Sequence, residues 1–271
     1  MRSVAPVTAP TAEPFHVDQA KQHLRIDHTE EDVYVAGLVA AVRSECEAWR
    51  NECLVSQTLD LRLDDWPDDD IIIPRHPLAS VSSITYVDTN GDTQTLATTV
   101  YTVDTYSRPG RIALAYQQTW PTVRSVINAI TVRFVAGYVT PFTVDDSADT
   151  LTTSGRNFSD DDVVRLSLSG DQDARLPGGL QENVDYYVVS ASGSSIQLST
   201  ASGGSAIDIK NAGNPGAFYL GEIPEHVKHG MLIRLADMYE HRESLVLERQ
   251  VKTVPMSVEA LYNTDRVYQL G

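Results

Sequence analysis

Apolar residues recur along the chain with two different periods, and the change from one to the other marks out its elements. Val17, Ala20 and Leu24 lie at i, i+3 and i+7 and predict a short helix with one apolar stripe, broken by Asp27 and His28. Thr29 with Asp32 three residues later resembles a capping box in which Asp stands in for Glu. The helix that follows has the clearest stripe: Val35, Leu38, Val39, Val42, Cys46 and Trp49 keep to one face over roughly four turns. Arg43, Glu47 and Arg50 fall on the opposite face. After Glu52 the period drops to that of a strand. Leu59, Leu61 and Leu63 alternate with Asp60, Arg62 and Asp64, which predicts one buried and one wet face. Ile71–Ile73 reads as a short apolar strand stopped by Pro74, and Val81–Val87 as another. Asn90-Gly91 is the best hairpin turn of the chain, because both residues tolerate positive φ. Leu96, Tyr101–Asp104 and Arg111–Tyr116 supply return strands, and Ile130, Val132 and Phe134 alternate again up to Gly137-Tyr138.

Residues 141–219 are rich in Ser, Thr, Gly and Asp and show no helical period. Short β patterns at Val163–Leu168, Asp185–Val189, Ile196–Leu198 and Ala206–Ile209, separated by Gly-rich turns, predict a small sandwich or barrel. A helix starts again at Pro224, with Val227, Met231, Leu235 and Met238 on one stripe, and a short one is expected at Ser257–Tyr262. The last long helix needs a partner for its stripe, and the helix over 29–51 is the natural one. The pattern therefore predicts an α+β protein: a helical host domain with a small antiparallel sheet, interrupted by an inserted all-β domain. Its expected parts are a flexible N-terminal arm (1–14), a discontinuous host domain (15–140 and 220–250), the insert (141–219) and a C-terminal segment (251–271).

Composition narrows the function. Asp plus Glu number 37 against 21 Lys plus Arg, a formal net charge of −16. Such a balance argues against a protein that coats nucleic acid, which needs clustered cations to displace counterions from phosphate. Cys46 and Cys53, seven residues apart, would be roughly 10 Å apart on one helix, too far for a disulfide, and read as small buried thiols. No signal-like apolar stretch opens the chain and no run approaches the roughly 20 residues of a membrane span. Phosphate loops, nucleophile elbows, H-E-x-x-H and C-x-x-C are all missing from the sequence. His226 and His229 could share a metal, but with Glu225 alone nearby they read as solvent or interface side chains. The run Asp64-Asp65-Trp66-Pro67-Asp68-Asp69-Asp70 lacks the glycine and spacing of a calcium loop and reads as a solvated turn, as does Asp160–Asp162. No catalytic residue, cofactor site or metal site is expected, and no enzyme activity.

Several stretches taken together carry a resemblance. They are the opening helix Val17–Asp27, the capped helix ending in Cys46-Glu47-Ala48-Trp49, Gln57–Leu61, and the Ile73-Pro74-Arg75-His76-Pro77-Leu78 turn. Val81–Asp88 leading into Asn90-Gly91, the Val132–Tyr138 strand, and the helix from Ile223-Pro224-Glu225 to Tyr239–Glu243 complete the set. In this order they resemble the head–tail adaptor (connector, head-completion) proteins of tailed bacteriophages. Members usually pass from Gly-Tyr to the Ile/Val-Pro helix by a short loop, and this chain inserts roughly eighty residues there. Leu176–Leu180 and Asp185–Val189 of the insert look like a β module of phage structural proteins.

The resemblance implies a virion structural protein of the neck, made in the bacterial host cytoplasm. It implies a homo-oligomeric ring, usually of twelve copies, beneath the portal protein. Such a ring extends the channel for double-stranded DNA, without sequence-specific binding, and offers a platform to stopper or tail-completion proteins; no membrane is involved. Under that reading Asp64, Asp65, Asp68, Asp69 and Asp70 form a candidate acidic channel or surface loop. The segment beyond Tyr239 becomes the candidate portal or neighbour interface, with Arg242, Arg249, Lys252 and Arg266 as cations and Leu261, Tyr262 and Tyr268 as anchors. The insert would decorate the outside of the ring. The alternative is a phage or bacterial surface module whose β insert recognises a receptor or carbohydrate.

Overall fold

The change of period after the second helix is also a change of architecture. The computed structural model describes residues 2–153, 156–170, 173–214, 217–242 and 256–267, and these divide into two compact units. One comprises residues 2–10, 51–137 and 267, the other residues 11–50 and the described part of 138–266. Helices and antiparallel sheets both occur, so the class is α+β.

The first unit is built of β strands, with one 3-10 turn at Thr98–Val100. Its strands are β1 (Arg2–Thr8), β2 (Gln57–Leu63), β3 (Ile71–Ile72), β4 (Leu78–Val87), β5 (Thr93–Thr95), β6 (Tyr101–Asp104), β7 (Arg111–Leu114) and β8 (Ile130–Ala136). They form a five-stranded antiparallel sheet of order β1-β2-β8-β4-β5 and a separate three-stranded sheet of order β3-β7-β6. The alternation read from the sequence sets the register: Leu61 and Ile84 both face Val132, and all three are fully buried with Phe134. Each such side chain contributes roughly 1.5–3 kcal/mol through burial. The opposite face of β2 is less wet than the alternation implied. Asp60 is buried because Arg133, directly across on β8, lies over it with two bonds of 2.8 and 3.0 Å. At the Asn90-Gly91 turn Gly91 has φ +98°, and the Asp88 carboxylate accepts from the backbone of residues 90, 91 and 92. Gly137 closes β8 where any Cβ would come 2.5 Å from the Ser56 backbone, so no side chain fits there.

The expected N-terminal arm is in fact strand β1, paired with β2 from Arg2↔Leu63 to Thr8↔Thr58. An edge strand needs only one side-chain face against the core, here Val4, and it accommodates Pro6 because its outer side has no ladder to break.

The second unit holds α1 (Val17–Leu24), α2 (Asp32–Arg50), α3 (Glu225–Glu240) and α4 (Met256–Asn263). It also holds strands β9 (Val139–Asp145), β10 (Thr150–Thr153), β11 (Val163–Val164), β12 (Leu166–Ser169), β13 (Tyr186–Ser192), β14 (Ser195–Ser199) and β15 (Ala217–Gly221). Val35, Val39, Val42 and Cys46 of α2 are buried, as their stripe requires. The Asp32 carboxylate is engaged by Lys21 Nζ at 2.7 Å, tying α2 to α1. Helix α3 packs on α2, where Arg234 bridges Glu45 at 2.9 Å and Asp237 at 2.6 Å. Glu47 and Arg50, assigned by periodicity to the exposed face, are buried. Arg43 covers Glu47 at 3.1 Å, and Arg50 has its own role below.

The seven β strands of this unit make one sheet of order β11-β13-β14-β10-β9-β15-β12. Its two edges, β11 and β12, are separated only by Arg165, so the sheet is nearly closed into a barrel around Phe142, Leu151, Val188, Ile196 and Leu198. β9 and β15 pair with Val139 opposite Gly221, so the first and last strands of this segment lie side by side. Ala206–Ile209 forms no strand: Ile207 N bonds Leu198 O, while Ile209 N is taken by the Asp149 side chain, and a ladder cannot propagate through that.

Candidate assembly surfaces

The acidic loop joins β2 to β3, and its carboxylates separate into different environments. Asp64 accepts from Asn128 N at 2.9 Å, a bond that holds its carboxyl below the ordinary aspartate range. Asp65 turns back to Trp66 N at 2.8 Å. Trp66 pins the loop: its ring stacks on Trp120 with centroids 4.5 Å apart and planes 5° from parallel, and its indole N–H donates to Pro121 O. Asp70 pairs with Arg111 at 3.2 Å, and Arg111 also reaches Asp104 at 3.1 Å. Hydrogen bonds from Ser107, then from Arg111, push the Asp104 carboxyl far below its usual range. Asp68 and Asp69 stay exposed and, with Asp70, Ile72, Arg111, Leu114 and Trp120, line an open cavity of about 570 Å³. The loop is thus a fixed, aromatic-anchored turn that leaves Asp65, Asp68 and Asp69 exposed. Among the described residues no group of three His, Cys, Asp or Glu side chains is placed to hold a metal ion. His229 is exposed, and His226 has Asp265 at 3.9 Å.

The C-terminal candidates are divided in the same way. Arg242, just past α3, lies 2.6 Å from Glu31 and sits over the rings of Tyr34 and Tyr239 at 4.5 and 4.7 Å. The Tyr239 hydroxyl donates to the same carboxylate. Those two partners, Tyr239 first and then Arg242, hold the Glu31 carboxyl below its ordinary range. Arg249, Lys252 and Tyr268 lie outside the described residues.

Helix α4 folds onto its own unit, which corrects the reading of its apolar side chains as surface anchors. Val258 and Tyr262 are buried and Leu261 is half-buried. A methyl group on Gly230 of α3 would come within 2.9 Å of Tyr262 Cε1 and 3.2 Å of Leu261 Cβ, so the glycine is what lets the two helices meet. Burial also pushes the Tyr262 phenol well above its usual range. The C-terminal carbonyls of α4, which have no partner within the helix, are met by Arg50: its Nη1 donates to Tyr262 O at 2.5 Å and Thr264 O at 2.7 Å. Arg50 is 0% exposed. Trp49 Nε1 donates to Asn263 at 3.1 Å, and the Arg266 guanidinium lies 5.7 Å from the Trp49 ring. Arg50 and Gly230 are thus the residues that position the segment, and the periodicity of α2 and α3 does not mark either.

Of the tyrosines Tyr186, Tyr187 and Tyr219 in this segment, Tyr186 lies in the barrel core and Tyr219, on the outer face, is covered by the chain around Glu13; both are 2% exposed and offer no open ring to a sugar. Tyr219 donates to Glu13 O at 2.5 Å, and burial pushes its phenol above its usual range.

No family model and no curated protein matches the sequence. Solved structures do match. The chain is similar to a chain in the neck of an empty gene transfer agent (GTA) particle computed with C6 symmetry, with a TM-score of 0.57 at 16% identity over 99% of this chain and 97% of that one. It is similar to a chain of the native GTA virion, with a TM-score of 0.57 at 15% identity over 98% and 96%. A third match lies in the native GTA neck computed with C12 symmetry, with a TM-score of 0.51 at 15% identity over 99% and 97%. The fold of this chain, barrel segment included, is therefore one found in the neck of phage-like particles, the kind of protein to which the sequence resemblance points.

Proposed function

We propose that the chain is a structural subunit of the neck of a phage-like particle. Copies of it, twelve in number, form a ring beneath the portal protein, extend the channel for double-stranded DNA, and give stopper or tail-completion proteins a surface to dock on. The observation that carries this reading is the length of the likeness: it spans 96% or more of both chains in each match, not one widespread module. Net charge fits a conduit. Twelve copies at −16 each total about −190, and an acidic wall repels the phosphate backbone, so DNA slides past without sticking. Of the exposed Asp65, Asp68 and Asp69, the pair Asp68 and Asp69, beside the open cavity, is the part of the acidic loop suited to such a wall.

The portal contact is assigned to the segment after Tyr239. With Tyr262 enclosed in its own unit, the contact falls to Arg242 and to the residues following it, Arg249 and Lys252 among them. The test is direct. Mixed with portal rings of the same particle, the chain should co-sediment as a ring visible by electron microscopy, and the full chain carrying Arg242→Ala, Arg249→Ala and Lys252→Ala should lose that binding. A full-length chain that ignores its portal would overturn the neck reading. A triple variant that still assembles on the portal would overturn only the assignment of the contact.

A further inference from the structure

The five-stranded sheet of the first unit ends in two open edges on opposite sides, β1 and β5, and among the described residues neither has a strand on its outer flank. Both are exposed: Ser3 and residues 5–8 on one edge, Thr93–Thr95 on the other. The hairpin fixes which groups of β5 point outward. Asp88 N bonds Asp92 O and Leu96 N bonds Ile84 O, so Tyr86↔Gln94 is also a hydrogen-bonded pair. The alternate residues Thr93 and Thr95 then turn their N–H and C=O groups away from β4. Proteins guard such edges with charge or cover, since they are templates for another strand. β5, three residues long, carries no charge, and β1 has only Arg2 and Pro6 as guards.

Direction decides how the edges can meet. Every neighbour in this sheet is antiparallel, and β1 and β5 are the first and fifth strands, so they run the same way. Rotation about a ring axis preserves the direction of a strand lying along it. A ring of identical copies also needs two different, complementary surfaces on each subunit. From these edges we infer that, in the ring proposed above, β1 of each copy adds in parallel to β5 of the next, Thr93–Thr95 against Ser3–Ala5, ahead of Pro6, which has no N–H to give, joining the sheets around the ring. The inference rests on the ring reading. So short a β5 offers few bonds, which suits an edge that pairs only when neighbours are already held side by side on the portal.

The experiment uses the full chain on portal rings. Ala5→Cys is combined in turn with Thr93→Cys, Gln94→Cys and Thr95→Cys, and the assembled rings are mildly oxidised; native Cys46 and Cys53 are buried. Within one copy the two edges are four strand spacings apart, about 19 Å, too far for an internal disulfide. At least one pair should give a ladder of covalently linked copies, while every single variant stays monomeric on a denaturing gel. Thr95→Pro, which deletes an outward N–H and spares the hairpin bonds, should lower ring yield at least tenfold and leave the melting temperature of the free chain unchanged. Rings that form normally with no cross-link at any pair, and with Thr95→Pro assembling as well as the unaltered chain, would overturn strand addition and leave the ring reading intact. Failure of the unaltered chain to form rings would overturn both.

Discussion

Replacing Arg50 with methionine should release α4 from the helices beneath it while leaving the rest of the unit folded. Arg50 is wholly buried and its guanidinium serves the far end of α4, donating to the carbonyls of Tyr262 and Thr264. Methionine keeps most of the aliphatic volume and removes the donors. Hydrogen bonds from a charged group contribute roughly 1.5–3 kcal/mol each, so two amount to about 3–6 kcal/mol. Part of that is returned, because methionine does not require a buried cation to be desolvated. A net loss of about 2–4 kcal/mol is expected. Each 1.4 kcal/mol is tenfold in an equilibrium, so amide protection in residues 256–263 should fall by roughly 30- to 700-fold by hydrogen–deuterium exchange. Protection in β13 and β14 of the barrel should stay put. Arg50→Lys should recover little, since one ammonium on a shorter reach does not reproduce the placement of Nη1. Protection of 256–263 changed less than threefold by Arg50→Met would refute the assignment of Arg50 as the residue that holds α4.

Gly230→Val should destabilise the same contact by about 1–3 kcal/mol through overpacking against Tyr262, seen as a lower melting temperature and faster exchange in α4; an unchanged melt would mean the helices are free to separate there. Acidification should loosen the Glu31–Tyr239–Arg242 cluster. A carboxyl whose folded pKa is depressed stabilises above its unfolded value and loses that contribution as pH falls through the folded one, so the loss belongs below the ordinary glutamate range. Exchange in the last turn of α3 should rise there, and Glu31→Gln should remove the pH dependence. Asp68→Asn with Asp69→Asn should slow DNA ejection from particles carrying the altered chain, most clearly at low salt; unchanged retention and ejection would remove this loop from the channel wall. Phe134→Ala, in the centre of the five-stranded sheet, should cost about 3–5 kcal/mol in denaturant unfolding, and a cost below 1 would mean the site collapses around the deletion.

The parts of this fold that were legible in the sequence are those fixed by one repeating choice between buried and exposed. The apolar stripe of α2, the apolar sides of β2 and β8 and the Asn90-Gly91 turn are of this kind, and the structure keeps each of them. The parts that were not legible depend on what a residue meets far away in the chain. Strand β1 has the Ala, Pro and Thr content of a loose arm, and it becomes a strand because β2 offers an edge some fifty residues later. Arg50 looks like a solvent-facing helix residue until α4 brings its C-terminal carbonyls to it, a pairing between partners 212 positions apart in the chain. The C-terminal segment shows the same ambiguity most sharply. Leu261 and Tyr262 have the composition of an interface anchor, and pattern alone does not tell an intermolecular anchor from an intramolecular one, because both bury the same apolar surface for the same gain. What separates the two is a space of the right shape in the chain's own helices. Here that space is Gly230, whose missing side chain admits the Tyr262 ring. A glycine inside an otherwise helical stripe weakens the helix by roughly 1 kcal/mol relative to alanine. Its presence in α3 is therefore the one trace in the sequence that a large side chain from elsewhere would dock there.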